Sequence, residues 1–369
     1  MKKLDYIDAL RGLAILGVLL VHTNQYGRSL ESNILGKIIS QGARGVQLFY
    51  VASAFTLFIS YKTRYLNDLF PVRSFFIRRF FRIAPMYYLG IIYYLFQDGF
   101  GSRYWLGDKT HISTLNIFSN LTFTHGFNPY WITSLVPGGW SIAVEMLFYA
   151  IFPFLFLKIK NINNAFYFLL ISMLANFIIS FSLSKINVIS SLRLWDEYLV
   201  LYFPNQLPLF AIGIIMYFII IEDQSIKDIS GKSLLFCSVL LFAELALGSQ
   251  FIFKDHILFG LVFLILGYSL SKYRPKLLVN SLVNHIGKVS FSMYLVHFAI
   301  LHWLLFFNII DYFDNQFFNY LTRYLIVCVV TILISTLFYN FIELPFQNIG
   351  RKLITKMEAS YNNKNLNNR

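Results

Sequence analysis

Apolar runs long enough to cross a membrane recur along almost the whole chain, and no other feature restricts its fold as strongly. Sustained apolar windows fall near residues 8–24, 44–61, 84–97, 139–158, 165–183, 205–221, 233–248, 256–271, 289–309 and 319–342. A bilayer core takes about 20 apolar residues per helical crossing and admits no unsatisfied backbone, so the windows read as transmembrane helices. The expected fold class is therefore all-α: a polytopic membrane protein of ten helices. Ten crossings consume roughly 200 residues, and a chain of 369 then has short loops and little room for a separate catalytic domain. With 57% hydrophobic and 13% charged residues, a soluble globule and a disordered chain are both excluded. Two cysteines exclude a disulfide-built scaffold. Met1-Lys2-Lys3 before an apolar run resembles a secretion signal, but Arg11 interrupts the run and no small-residue cleavage site follows, so it reads as a retained first helix.

An even number of spans puts both termini on one side. That side collects 21 Lys and Arg against 9 on the other, with Arg11 inside the first helix. Orientation follows the Lys/Arg bias, so both termini are expected in the cytoplasm of a bacterial-type inner (plasma) membrane. Much of the basic inner face serves topology and contact with anionic membrane lipids. A chain with no soluble module is not expected to bind nucleic acid. The end of the chain, residues 351–369, contains an Asn-rich segment and is expected to be a disordered cytoplasmic tail.

Ionisable groups inside spans are costly, so each is a functional candidate. In the first helix, Asp8 and Arg11 are three residues apart and can pair. Arg11 and His22 fall within about 20° of one another around the helix and roughly 16 Å apart along it. His22 is thus deep, toward the outer half of the bilayer, while Arg11 is near the inner surface. A membrane histidine serves either as a hydrogen-bonding group between helices or as a group that moves a proton near neutral pH, and spacing alone leaves both open. Glu145 lies about two turns into the window 139–158, a depth at which a carboxylate and an imidazole entering from the other end can meet. Glu145 then either orients the ring as in hydrolytic triads or bonds a neighbouring helix.

The stretch from Arg73 to Arg82 holds four Arg and no Lys. Arg79 and Arg82 share a helical face with Arg78 beside them, and guanidinium forks suit phosphate, although topology signals take the same form. Near residue 290, Ser290, Tyr294 and His297 fall within two turns as one polar patch. Glu343-Leu344-Pro345 is expected to close the last span. Glu244 is isolated; Cys237 and Cys328 sit in apolar runs, where a thiol is inert packing. The remaining histidines lack zinc spacing and no nucleotide-binding glycine loop occurs, so no metal site is expected.

In order along the chain, these elements are Asp8-Ala9-Leu10-Arg11-Gly12-Leu13-Ala14 with Arg-x10-His ending at His22, and Gly45-Val46-Gln47-Leu48-Phe49-Tyr50-Val51-Ala52-Ser53-Ala54-Phe55. Arg79-x-x-Arg82, Trp140-Ser141-Ile142-Ala143-Val144-Glu145, Ser292-x-Tyr294-Leu295-x-His297 and Glu343-x-Pro345 follow. The series resembles the acyltransferase 3 family of integral membrane acyltransferases, over residues 4–350. Ala54 stands where the family usually has glycine, and Met146 where it is often polar. The resemblance implies ten transmembrane helices and transfer of an acyl group, commonly acetyl, from cytosolic acyl-CoA to a hydroxyl of a carbohydrate or glycolipid on the far side. The acceptors it implies include lipopolysaccharide O-antigen and exopolysaccharide. Some relatives carry an extra SGNH hydrolase-like domain, and this chain is expected to be the standalone form.

On that resemblance His22 is expected to be the general base and Glu145 its orienting carboxylate. Arg11 with Asp8 would shape the donor channel or stabilise developing negative charge. Arg79, Arg82 and Arg78 would hold the phosphates of acetyl-CoA, the acyl donor. Trp140, Ser141, Tyr294 and His297 are structural or acceptor-side polar groups. A competing reading is a transporter of a glycolipid or small anion, since buried His, Arg and Glu also build proton relays.

Overall fold

The computed structural model describes residues 4–30, 34–186, 188–222, 230–246 and 254–367. The expectations concerning Lys2, Lys3 and the Glu244 side chain lie outside the described residues. Helices account for almost everything described, and no strand occurs among the described residues. In chain order they are α1 (Asp5–Gln25), α2 (Ile34–Ser40), α3 (Gly45–Tyr65), α4 (Pro71–Asp98), α5 (Thr114–Leu121), α6 (Gly139–Lys158) and α7 (Ile162–Ser184). Then follow α8 (Leu192–Leu201), α9 (Phe203–Tyr217), α10 (Gly231–Ala246), α11 (Asp255–Lys272), α12 (Ser281–Phe306), α13 (Gln316–Phe338) and α14 (Leu344–Asn367).

Among the described residues, eight segments are long and apolar enough to cross a membrane. Two of the ten expected spans are not among these eight. The window 84–97 is the second half of α4, a continuous helix whose first half carries Arg73, Arg78, Arg79 and Arg82. The window 233–248 corresponds to α10, described over Gly231–Ala246; residues 247 and 248 of the window lie outside the described residues.

The end of the chain also differs from expectation. Residues up to Asn367 continue as α14 where a disordered tail was expected. Pro345 does not stop the last span, because a π-helical turn, Tyr339–Glu343, precedes it and α14 restarts at Leu344. Proline is tolerated in the first turn of a helix, where its missing N–H would be unpaired anyway. A single π turn is a known way to absorb such a break.

The chain divides into two compact units. The first comprises Met1–Thr56, Ile159–Ile186 and Phe203–Ser335, and the second Leu57–Lys158, Asn187–Tyr202 and Thr336–Arg369. In the first unit α1 packs chiefly on α12. A Cβ at Gly12 would come within 2.4 Å of the Val283 carbonyl oxygen, and one at Gly287 within 1.8 Å of the Asp8 oxygen. These reciprocal contacts bring the two backbones together with no side chain between them. Together with the His22–His297 pair further along, these contacts describe two parallel helices with Gly12 and Gly287 at one level. His22 and His297, each ten residues further on, then face one another with ring centroids 5.3 Å apart.

In the second unit α4 packs on α14. The Leu69 N–H donates to Glu358, and Gly350 lies flat against the Phe81 ring. Tyr61 meets Phe75, Phe152 and Phe156 edge-to-face and Phe75 stacks on Phe152, a cluster that fastens α3, α4 and α6.

Because the α1–α12 approach admits no Cβ at Gly287, Gly287→Val should overpack it by at least about 1–3 kcal/mol. We expect less monodisperse detergent-solubilised protein and a lower unfolding midpoint than for Gly101→Ala, where a Cβ meets nothing within 4 Å. An unchanged midpoint for Gly287→Val would refute the contact.

Candidate functional site

His22 and His297, in the first unit, are held in defined tautomers by their near nitrogens. Gln25 lies one turn beyond His22 on α1, and its Oε1 is 2.9 Å from His22 Nδ1. A carbonyl oxygen only accepts, so Nδ1 carries the proton and Nε2 is the acceptor nitrogen. His297 Nδ1 is 3.1 Å from the Met293 carbonyl, which fixes the same tautomer one turn back on α12. The ring is fully buried, and its Nε2 has no hydrogen-bond partner among the described residues. Phe298 packs on both imidazoles, with centroids 4.4 Å from His22 and 4.1 Å from His297, and the Tyr294 ring is 5.9 Å from that of His297. The site thus presents two imidazoles whose far nitrogens are acceptors, walled on one side by an aromatic ring.

At the other end of α1, Asp8 and Arg11 pair loosely at 3.9 Å, and Arg11 Nη2 donates to Thr56 Oγ1 at 2.9 Å. Thr56 returns its proton to the Ala52 and Ser53 carbonyls, so it presents a lone pair to the guanidinium. Both side chains of the Asp8–Arg11 pair keep about a fifth of their surface exposed, and a partly solvated pair of this kind contributes little to stability.

The end of α1 that carries His22 and Gln25 is held by Arg323 of α13, a fully buried residue. Its Nε donates to the Thr23 carbonyl at 3.1 Å, Nη2 to the Arg28 carbonyl at 2.9 Å, and Nη1 to Asp311 Oδ1 at 2.9 Å. Gly27 adopts φ +69°, and any Cβ there would meet Arg323 Nη1 at 2.3 Å. Asp311 also accepts from Asn319 and from the Arg28 N–H. Burial alone would raise the Asp311 carboxyl, but these donors and the Arg323 guanidinium outweigh it and hold it below the ordinary carboxylate value. The guanidinium supplies donors to carbonyls that the helix end leaves unpaired. Sequence reasoning missed Arg323, Asp311 and Gln25. The available signal was Arg323 itself, a charge inside the apolar window 319–342.

The second unit holds Glu145, Trp140, Ser141, Arg78, Arg79 and Arg82. The Glu145 carboxylate accepts the Tyr149 hydroxyl, one turn along α6. The Arg79 guanidinium lies over the Phe75 and Tyr149 rings, 5.6 Å from each centroid, an arrangement in which ring faces stabilise the cation. Arg78 is engaged by Asp68. Ser141 Oγ donates to the Gly138 carbonyl at 3.0 Å, tightening the first turn of α6. Glu145, Arg79, Arg78 and Ser141 thus have local partners within the second unit, and the bond that His22 displays is to Gln25.

Just before α6, His125 is fully buried in a loop, stacked on Tyr87. Its Nε2–H donates to the Gly139 carbonyl at 3.1 Å, and Tyr87 donates to Asn120 at 2.8 Å. Burial drives the His125 pKa down to about 4, with the Gly139 carbonyl offsetting only part. Among the described residues no group of three or more His, Cys, Asp or Glu is arranged to hold a metal ion.

With this geometry in hand, the comparisons identify the class. A family model described as an acyltransferase domain matches residues 4–340, and the chain belongs to that family. It is 25% identical to a putative O-acetyltransferase of Staphylococcus aureus strain COL, over 96% of this chain and 59% of that protein. It is 23% identical to the peptidoglycan O-acetyltransferase OatA of Listeria monocytogenes, over 95% of this chain and 56% of that protein. With the O-acetyltransferase OatA of Staphylococcus aureus strain NCTC 8325 it shares 25% identity over 94% and 57%. The chain therefore spans less than three fifths of the length of these curated relatives. No solved structure matches.

A buried histidine with a lowered pKa stays neutral in the folded protein but protonates in the unfolded chain below its ordinary value near 6.5. Its stabilising effect is complete above that value and declines as pH falls toward about 4. We expect the unfolding midpoint of the parent to drop across this window more steeply than that of His125→Gln. Parallel curves would remove His125 as the cause.

Proposed function

We propose that the chain is a membrane O-acyltransferase that moves an acetyl group from acetyl-CoA to a hydroxyl of a cell-envelope carbohydrate. The observation that carries the reading is the His22 imidazole: Nδ1–H is committed to Gln25, and Nε2 is left as the basic nitrogen deep in the first unit. Family membership raises this above a purely structural histidine. The Lys/Arg bias supports cytoplasmic termini, with Arg11 on the donor side and His22 on the acceptor side.

In this mechanism His22 Nε2 takes the proton of the acceptor hydroxyl as its oxygen attacks the thioester carbonyl. The tetrahedral intermediate collapses with loss of the coenzyme A thiolate, which takes up the proton from His22. An ester and free coenzyme A result, and the imidazole returns neutral. Gln25 fixes the tautomer and orients the ring, the role that sequence reasoning gave to Glu145. Glu145 would act within its own unit through Tyr149 and the neighbouring Arg79, where Arg79 and Arg82 supply positive charge for an anionic donor. Asp8 tempers Arg11, which lines the donor path. The name of the Listeria relative adds peptidoglycan to lipopolysaccharide O-antigen and exopolysaccharide as a candidate acceptor.

Purified His22→Ala should bind coenzyme A as the parent does but lose at least about 100-fold in kcat, as expected for a general base. Gln25→Ala should lose about tenfold in kcat with little change in KM, since a tautomer-fixing partner acts on the chemical step and not on binding. Undiminished transfer by correctly inserted His22→Ala would reject the assignment, and absence of coenzyme A binding by the parent would favour a transporter.

A further inference from the structure

In the first unit, an open cavity of about 610 Å3 lies where the N-terminal ends of α1 and α12 meet the α11–α12 connection. Arg274 and Lys288 bring two fixed positive charges to it, and His285 a third nitrogen base. Asp5 is the one acid in the lining; Ser281 and Asn284 add neutral polar groups, while the Asn280 amide is committed to the Lys276 and Leu277 carbonyls. Arg274 is braced over the Tyr6 ring, 5.4 Å from its centroid. The lining thus combines surplus positive charge with neutral hydrogen-bonding groups, the composition that recognises a phosphate.

The cavity's place along the helices decides which phosphate. Gly12 and Gly287 set α1 and α12 parallel, and His22 and His297 face one another further along the same pair. Lys288 is nine residues before His297, and His285 is twelve. At the α-helical rise these separations are roughly 14 and 18 Å. An extended pantetheine arm, comparable to about five extended residues, reaches roughly 17 Å. A nucleotide phosphate in this cavity would therefore stand one arm's length from the two imidazoles, with Arg11 of α1 at the level of the cavity.

We propose that this cavity is a phosphate subsite that holds the phosphorylated nucleotide end of the acyl donor and so meters the thioester to the depth of His22. The inference rests on the acyltransferase reading and adds a donor subsite apart from the Arg79–Arg82 stretch. A phospholipid headgroup offers the same chemistry, and the test separates the two.

Full-length protein in phosphatidylcholine nanodiscs, parent and the variants Lys288→Glu and Arg274→Glu, is assayed with acetyl-CoA and with acetyl-pantetheine, which lacks phosphates. Coenzyme A binding is measured at equilibrium. The subsite predicts that each variant raises the KM for acetyl-CoA and weakens coenzyme A binding about tenfold or more, the size of a lost charged hydrogen bond. The KM for acetyl-pantetheine and kcat with either donor stay within about twofold, since no transition-state contact is touched. Acetyl-CoA kinetics and coenzyme A binding unchanged in both variants overturn the proposal while leaving the acyltransferase reading intact. Loss only of stimulation by added phosphatidylglycerol overturns it in favour of a lipid site. A parent that transfers from neither donor and binds no coenzyme A overturns both.

Discussion

The absence of side chains at Gly12 and Gly287 is the constraint on which the site depends. Those two positions let α1 and α12 approach backbone to backbone, each against a carbonyl of the other. Parallel alignment follows, and with it the meeting of His22 and His297 ten residues on. Neither histidine could be positioned by its own helix alone. Close approach through glycine is the common means of binding helices where lipid removes the hydrophobic driving force.

Two further devices turn that approach into a rigid site. Arg323 gathers the carbonyls at the end of α1 and the loop beyond it, tying His22's helix to α13. Near nitrogens bonded to Gln25 and to the Met293 carbonyl fix both rings in one tautomer. Burying a guanidinium is costly unless its donors are satisfied, and here carbonyls and Asp311 satisfy them. The expense makes sense if what is gained is the position of an imidazole.

Much of this was legible in the residues. Apolar windows marked the helices because hydrocarbon imposes length and composition, and window 139–158 coincides with α6. Arg11 and His22 were visible because charge and imidazole are conspicuous in an apolar run. Gln25 was not, since a neutral amide at a helix end looks like any surface residue. The α1–α12 register was hidden as well, because it depends on contacts between residues some 275 positions apart. The helical continuation through Pro345 escaped because local rules end a helix at proline, whereas a π turn re-registers the backbone ahead of it. The pairing of Glu145 with His22 was read from depth and from the family resemblance; the bonds displayed by the two are to Tyr149 and to Gln25.

The account's central claim is that a thioester reaches the His22 imidazole. The most direct measurement is a cryo-electron-microscopy structure of the protein bound to a non-hydrolysable acetyl-CoA analogue. The account predicts the carbonyl-equivalent carbon within about 4 Å of His22 Nε2, near-attack range allowing for the acceptor oxygen. Ordered density for the acyl end elsewhere, with the His22 and His297 rings packed against protein alone, would contradict it.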